Sequence, residues 1–207
     1  AEEPEPFGDG GTKMAWNTFN VVSIYPNGNP VMSDVNQRWV GDCCACAVIA
    51  SMAYLYPRFV KHIIKDNMDK TYTVTMYDPK GKQISVGVGG DYFIGNSGDL
   101  GALGGRNKEV TWATILEKAM IKWNQIYQGS SNVGGIGTEY VSAIFTGDGE
   151  SVGFGANALI AEDLQRAVEV SLKQGRLVIG GFTRSGEQVD QNWQTTSGHA
   201  ESLGRYY

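Results

Sequence analysis

Residues 43–56, Cys-Cys-Ala-Cys-Ala-Val-Ile-Ala-Ser-Met-Ala-Tyr-Leu-Tyr, carry no charge at any position. At helical spacing the run is apolar or small on every face, and a helix apolar all round is a buried one. The rest of the chain has to fold around it. Asp42 stands where an N-cap belongs, and Pro57 breaks or restarts the helix before the charged segment 58–65. With 207 residues the chain is about the size of one domain at roughly 100–200 residues each, large enough to enclose such a helix.

Composition narrows the classes. Apolar residues at 42% against 19% charged exclude a disordered chain. The net charge of −5, with Lys and Arg scattered, gives no basic face and argues against nucleic acid and anionic membranes. No stretch reaches the ~20 consecutive apolar residues of a membrane span. A start at Ala1 fits removal of an N-terminal signal and hence a secreted or cell-envelope protein, with a cytoplasmic one the alternative.

Around the central helix the pattern predicts a hairpin, 72–77 and 83–88, turning through Asp78-Pro79-Lys80-Gly81. A glycine-rich loop spans 89–107, and a second helix carries Trp112, Ile115, Leu116, Ala119 and Trp123. Gly134-Gly135 leads into a short helix over 138–145. A third amphipathic helix runs from Ala161 to Gln174, with Gly175 as its stop. Strands follow at 177–182 and from His199. Residues 1–36 read as an irregular surface lead-in with one strand, its glycine- and proline-rich stretches flanking the apolar patch 19–25, and 185–196 as a polar loop that includes Asn192-Trp193. Helices first and strands later give an α+β class rather than alternating βαβ units.

All 3 cysteines fall in Cys43-Cys44-Ala45-Cys46, so they cannot staple distant segments. Cys43, at a helix start, is placed where unpaired N–H groups and the helix dipole favour a thiolate. Attack on a carbonyl also needs a base, and the chain has 2 histidines. His62 lies between Lys61 and Lys65 and reads as a solvated helix residue. His199 lies where a turn meets a strand, far from Cys43 in sequence; the residues alone leave it open between a structural role and a catalytic one. A strand-borne His facing a helix-borne Cys is the papain-like arrangement. The competing use of the same thiols is a Cys-x-x-Cys oxidoreductase, for which the surrounding βαβ pattern is missing. Zinc binding lacks a second pair of ligands at finger spacing.

Gln37-Arg38-Trp39-Val40-Gly41-Asp42-Cys43 resembles the active-site stretch of calpain-type cysteine peptidases. Residues 112–119 resemble that family's Trp…Leu-Glu-Lys-Ala helix; Gly134-Gly135 with Phe145-Thr146-Gly147 resembles its Gly-Gly…Leu-Thr-Gly segment, and Ser197-Gly198-His199-Ala200 its histidine motif. The resemblance implies a papain-like α+β fold: a helical half bearing the Cys, packed on an antiparallel sheet or half-barrel bearing the His. It assigns residues 1–35 to an N-terminal arm or pro-segment remnant and 36–207 to the peptidase domain. It implies Cys43 as nucleophile, His199 as general acid/base and Gln37 as oxyanion donor, acting on protein or peptide substrates.

Departures accompany the match. Cys44 stands where the family has Trp, and Glu201 where it has an aromatic residue. The family's orienting Asn follows the histidine and has no counterpart in this sequence, so the reading places it in a C-terminal segment or on a second chain. Trp39 and Trp112 are expected as core packing, Glu117 as a capping or ion-pair residue at a helix surface, and Cys44 and Cys46 as small buried residues. The family often binds calcium; the loop acids Asp91, Asp99, Asp148 and Glu150 make no assignable ligand pattern, and the chemistry itself calls for no cofactor. A transglutaminase-like acyl transferase, which also pairs Gln, Cys and His, and a catalytically weakened binding module are the alternatives within the fold.

Overall fold

The first helix, α1 (Cys43–Leu55), is buried from Ala45 to Ala53, as its uniform apolarity requires. The structure, a computed structural model, describes residues 14–95, 97–155, 158–182, 188–190, 193–194 and 199–202. α2 (Pro57–Ile63) starts with Pro57, whose missing N–H costs nothing at a first position. It ends short of the expected boundary at 65 because Ile64–Asp66 forms strand β2, with buried Ile64 opposite Val74. β2 pairs antiparallel with β3 (Tyr72–Tyr77), and β3 with β4 (Gln83–Val88), in the order β2-β3-β4. The expected turn between β3 and β4 is held by Asp78, whose carboxylate accepts from the Lys80 and Lys82 amides at 2.9 and 2.8 Å.

α3 (Trp112–Gln128) is capped by Thr111, whose hydroxyl accepts from Ala113 N at 3.2 Å, and closes on Gly129 in the left-handed conformation, φ 71°. It lies across β3, β4 and α1, and α4 (Thr138–Thr146) packs against α1 and β3. The core therefore sits between α1, α3, α4 and the three-stranded sheet. Trp112, expected as core packing, is fully buried. Among the described residues no single helix is long and apolar enough to cross a membrane.

The lead-in carries the one strand expected of it, β1 (Ala15–Thr18), which pairs antiparallel with β5 (Asp91–Ile94), a strand inside the stretch read as loop, with Trp16 tilted against Phe93. The patch 19–25 serves α3: Ile24 O accepts from Trp112 N at 2.8 Å.

Toward the C-terminus, α5 (Ala161–Lys173) forms as expected but buries none of its residues; Leu164, Ala167, Val168 and Leu172 are half-covered. β6 (Ile179–Phe182) pairs antiparallel with β9 (His199–Ser202), placing Phe182 opposite His199, and α1 packs against both strands. The expected loop at 185–196 contains a small ladder, β7 (Gln188–Asp190) with β8 (Trp193–Gln194); Asn192 lies outside the described residues. Helix and antiparallel strand mix in an α+β architecture.

Candidate active site

Cys43 is the first residue of α1 and half-buried. The first intrahelical bond is Cys46 N to Asp42 O, 3.0 Å, so the amides of the first turn ahead of it have no acceptor within the helix. Asp42 holds the N-cap position, yet its side chain makes no cap bond. Its carboxylate turns inward, wholly buried, and accepts the Cys46 thiol proton at 3.4 Å.

The approach to Cys43 is a loop laced to the glycine-rich segment beside it. Asn36 and Gly104 exchange backbone bonds at 3.1 and 3.3 Å, Trp39 N donates to Gly101 O at 3.1 Å, and the Arg38 guanidinium donates to Gly105 O at 2.7 Å. The glycines are required for this contact: a Cβ on Gly104 would lie 2.5 Å from Leu100 and 2.6 Å from the Glu109 carbonyl. On the other side, Gly134 comes up against the carbonyl of Gly41. The nucleophile loop thus runs between the segment of Gly101, Gly104 and Gly105 on one side and Gly134 on the other.

Gln37 is half-buried, and its Nε2 donates to Val40 O at 2.9 Å. One amide hydrogen anchors the side chain to its own loop, and the second is left to donate elsewhere. Gln37 also borders an open depression with Arg38, Trp39, Ser97, Asp99 and Lys108. Trp39, expected in the core, is 49% exposed, with its indole lying over Gly95 at the rim. His62 is exposed on α2, as expected. His199 begins β9, against α1; Ser197 and Gly198 lie outside the described residues, as does the His199 side chain.

The three thiols differ. Cys44 is half-buried rather than buried; desolvation, then the neighbouring Cys43, pushes its pKa up to about 11. Cys46 is buried, and burial followed by the Asp42 charge raises it well above the usual thiol range. Among the described residues no disulfide joins any of the three.

Glu117, expected at a helix surface, lies inside the protein. It is 1% exposed in the heart of α3, accepts from Leu103 N at 3.1 Å and faces Asp42. Its helical neighbours Ala113, Met120 and Ile121 are all apolar, and that context was the available signal that position 117 points inward.

A family model, calpain family cysteine protease, matches residues 16–204. The chain belongs to the calpain family of cysteine proteases. A comparison with curated proteins finds no match. As a calpain-like cysteine peptidase it acts on protein or peptide substrates. Calcium, often associated with calpain-type cores, would need several oxygen donors converging on one point. Asp91 accepts from Thr18 Oγ1 at 2.6 Å, Asp99 is ion-paired with Lys108 at 2.5 Å, and Asp148 accepts from Glu150 N at 2.9 Å. The one close set of ligand-type atoms among the described residues, on Asp42, Cys46 and Glu117, includes a buried thiol, whereas calcium takes six to eight oxygens. These residues do not fit calcium.

Proposed function

We propose that this calpain-family domain has the papain-like arrangement and cleaves peptide bonds through a thioester on Cys43, with His199 as general acid/base and Gln37 as oxyanion donor. The observation that carries the reading is the packing of β9, which begins with His199, against α1, which begins with Cys43.

In the proposed reaction His199 accepts the Cys43 proton, and the sulfur attacks the peptide carbonyl carbon. The carbonyl oxygen takes up negative charge. The second hydrogen of the Gln37 amide and the backbone amide of Cys43, at the start of α1, donate to that oxygen, and both are neutral donors that stabilise it without surrendering a proton. The C–N bond then breaks as His199 returns its proton to the leaving amine, and the acyl group remains on sulfur. Water attacks the thioester, gives a proton to His199, and the acid product leaves as Cys43 is reprotonated. The steps use the chain's own groups and water. Gly41, which carries no Cβ just ahead of Cys43, lets the backbone of an extended peptide come close to the nucleophile.

Labelling with a peptidyl electrophile tests the assignment. Cys43→Ala and His199→Ala are expected to abolish or strongly reduce labelling, and Cys46→Ala to retain it. Loss in Cys46→Ala alone overturns the reading in favour of thiol–disulfide chemistry. An amine acceptor in a turnover assay is expected to leave hydrolysis as the main path; amide product in its place overturns the peptidase reading in favour of acyl transfer.

A further inference from the structure

Asp42, Cys46 and Glu117 bring their ligand-type side-chain atoms within 4.8 Å of one another, and all three residues are buried. Asp42 directly precedes Cys43 and supplies the carbonyl that accepts the first bond of α1. Glu117 comes from the middle of α3 and is fixed by the amide of Leu103. The two carboxyls thus face each other in the interior, close enough for one proton to be shared between them. Two carboxylates cannot both stay ionised at this separation in a dry interior, because each lacks hydration and repels the other.

We propose that the Asp42–Glu117 carboxyl pair, joined by one proton, is a positioning device for Cys43, clamping the first turn of α1 to α3. Glu117 donates the shared proton to Asp42, and Asp42 also accepts the Cys46 thiol proton. The Asp42 backbone is thereby held, and Cys43 with it.

Burial, and then the Asp42 charge, hold the Glu117 carboxyl well above the usual carboxylic range, opposed by the Leu103 amide. The groups facing Glu117 are Asp42 and Cys46 from α1, with Cys43 adjoining Cys46, and the Leu103 amide from the loop before α3. Lys118, next in sequence, sends its amine to the Asp91 carbonyl at 2.5 Å. With the folded value above the unfolded one, folding retains a proton that the unfolded chain gives up. This stability is fully present below the unfolded pKa and is lost as pH rises through the folded value. Ionised Glu117 then repels Asp42 and loosens the turn that carries Cys43.

The proposal rests on the nucleophilic role of Cys43 only for its effect on turnover. Its test uses the full chain as wild type, Glu117→Gln and Glu117→Ala. Glutamine keeps the acceptor for Leu103 and a donor for Asp42 but cannot ionise. Urea unfolding is followed from about pH 5 to about pH 9, alongside Cys43 alkylation by iodoacetamide read by peptide mass mapping. Wild type is expected to lose stability relative to Glu117→Gln as pH rises. Glu117→Gln is expected to match wild-type Cys43 alkylation at the acid end and exceed it at the alkaline end, and Glu117→Ala to fall below both. Parallel stability profiles for wild type and Glu117→Gln overturn the shared proton. Diverging stability with identical Cys43 alkylation overturns the positioning role. EDTA is expected to change nothing; stability that falls on chelation overturns the proposal in favour of a metal ion on the same three residues. If the peptidyl electrophile fails to label Cys43 while iodoacetamide shows the expected pH pattern, the peptidase mechanism fails and the carboxyl pair stands.

Discussion

The indole nitrogen of Trp112 donates to the carboxylate of Asp34 at 2.7 Å, and both residues are buried. The same carboxylate accepts from Asn27 Nδ2 at 2.7 Å and Val31 N at 3.2 Å, so one side chain ties the segment ahead of the nucleophile loop to the start of α3. Asp34→Ala leaves a buried indole N–H unpaired, and its cost is expected at roughly 2–3 kcal/mol in urea unfolding. Asp34→Asn is expected to recover part of that, since its Oδ1 can keep the Trp112 and Val31 donors on one oxygen while its NH2 faces the Asn27 amide. Asn equal to wild type would show that the carboxylate does not hold the junction.

Gln37 tests the oxyanion assignment without touching the Cys–His pair. Gln37→Ala is expected to lower kcat/KM on a peptide substrate by roughly 10²–10³-fold, with the fold and iodoacetamide alkylation of Cys43 retained. Gln37→Glu is expected to be no better, because a carboxylate would face both the Val40 carbonyl and the forming oxyanion. Activity within about twofold of wild type in either variant would remove Gln37 from the mechanism.

The thiols are expected to separate by reactivity. With a pKa pushed up to about 11, Cys44 is thiolate in only about one molecule in a thousand at pH 8, and its alkylation accelerates only as pH climbs toward that value. Cys46 is further shielded by burial. Mass-mapped iodoacetamide modification at pH 8 should therefore reach Cys43 well before Cys44 and Cys46. Modification of Cys44 first would contradict the local environment described for this pair.

What the sequence made legible was whatever pattern alone decides. Uniform apolarity predicted the burial of α1, the β-rich runs predicted β3 and β4, and Cys43 and His199 came out on elements that pack together. What it hid depends on long-range pairing. β1 and β5 are four-residue strands that exist because each finds the other across the chain. Glu117 was assigned by residue type to a surface, although its helical neighbours are core residues. Trp39 was assigned by size to the core, although the flat surface of Gly95 lets it lie at a rim. In each case a tertiary partner overrode the local preference.

Gly104 is where the glycine content bears on the site. Its missing side chain lets Leu100 and the Glu109 carbonyl close in at 2.5 and 2.6 Å of where a Cβ would stand, and its own carbonyl accepts from both the backbone and the side-chain amide of Asn36, at 3.1 and 3.0 Å. Because the nearer obstacles include backbone, Gly104→Ala cannot be relieved by a rotamer change, and a destabilisation of about 1–3 kcal/mol is expected. The strain is passed to Asn36 and so to Gln37, which predicts a fall in kcat/KM in the fraction that remains folded. Gly87→Ala is the control: it sits in β4 with nothing within 4 Å of a new Cβ, and it should leave both stability and turnover close to wild type. Equal effects of the two substitutions, measured by urea unfolding and peptide cleavage, would show that contact at Gly104 does not set the loop.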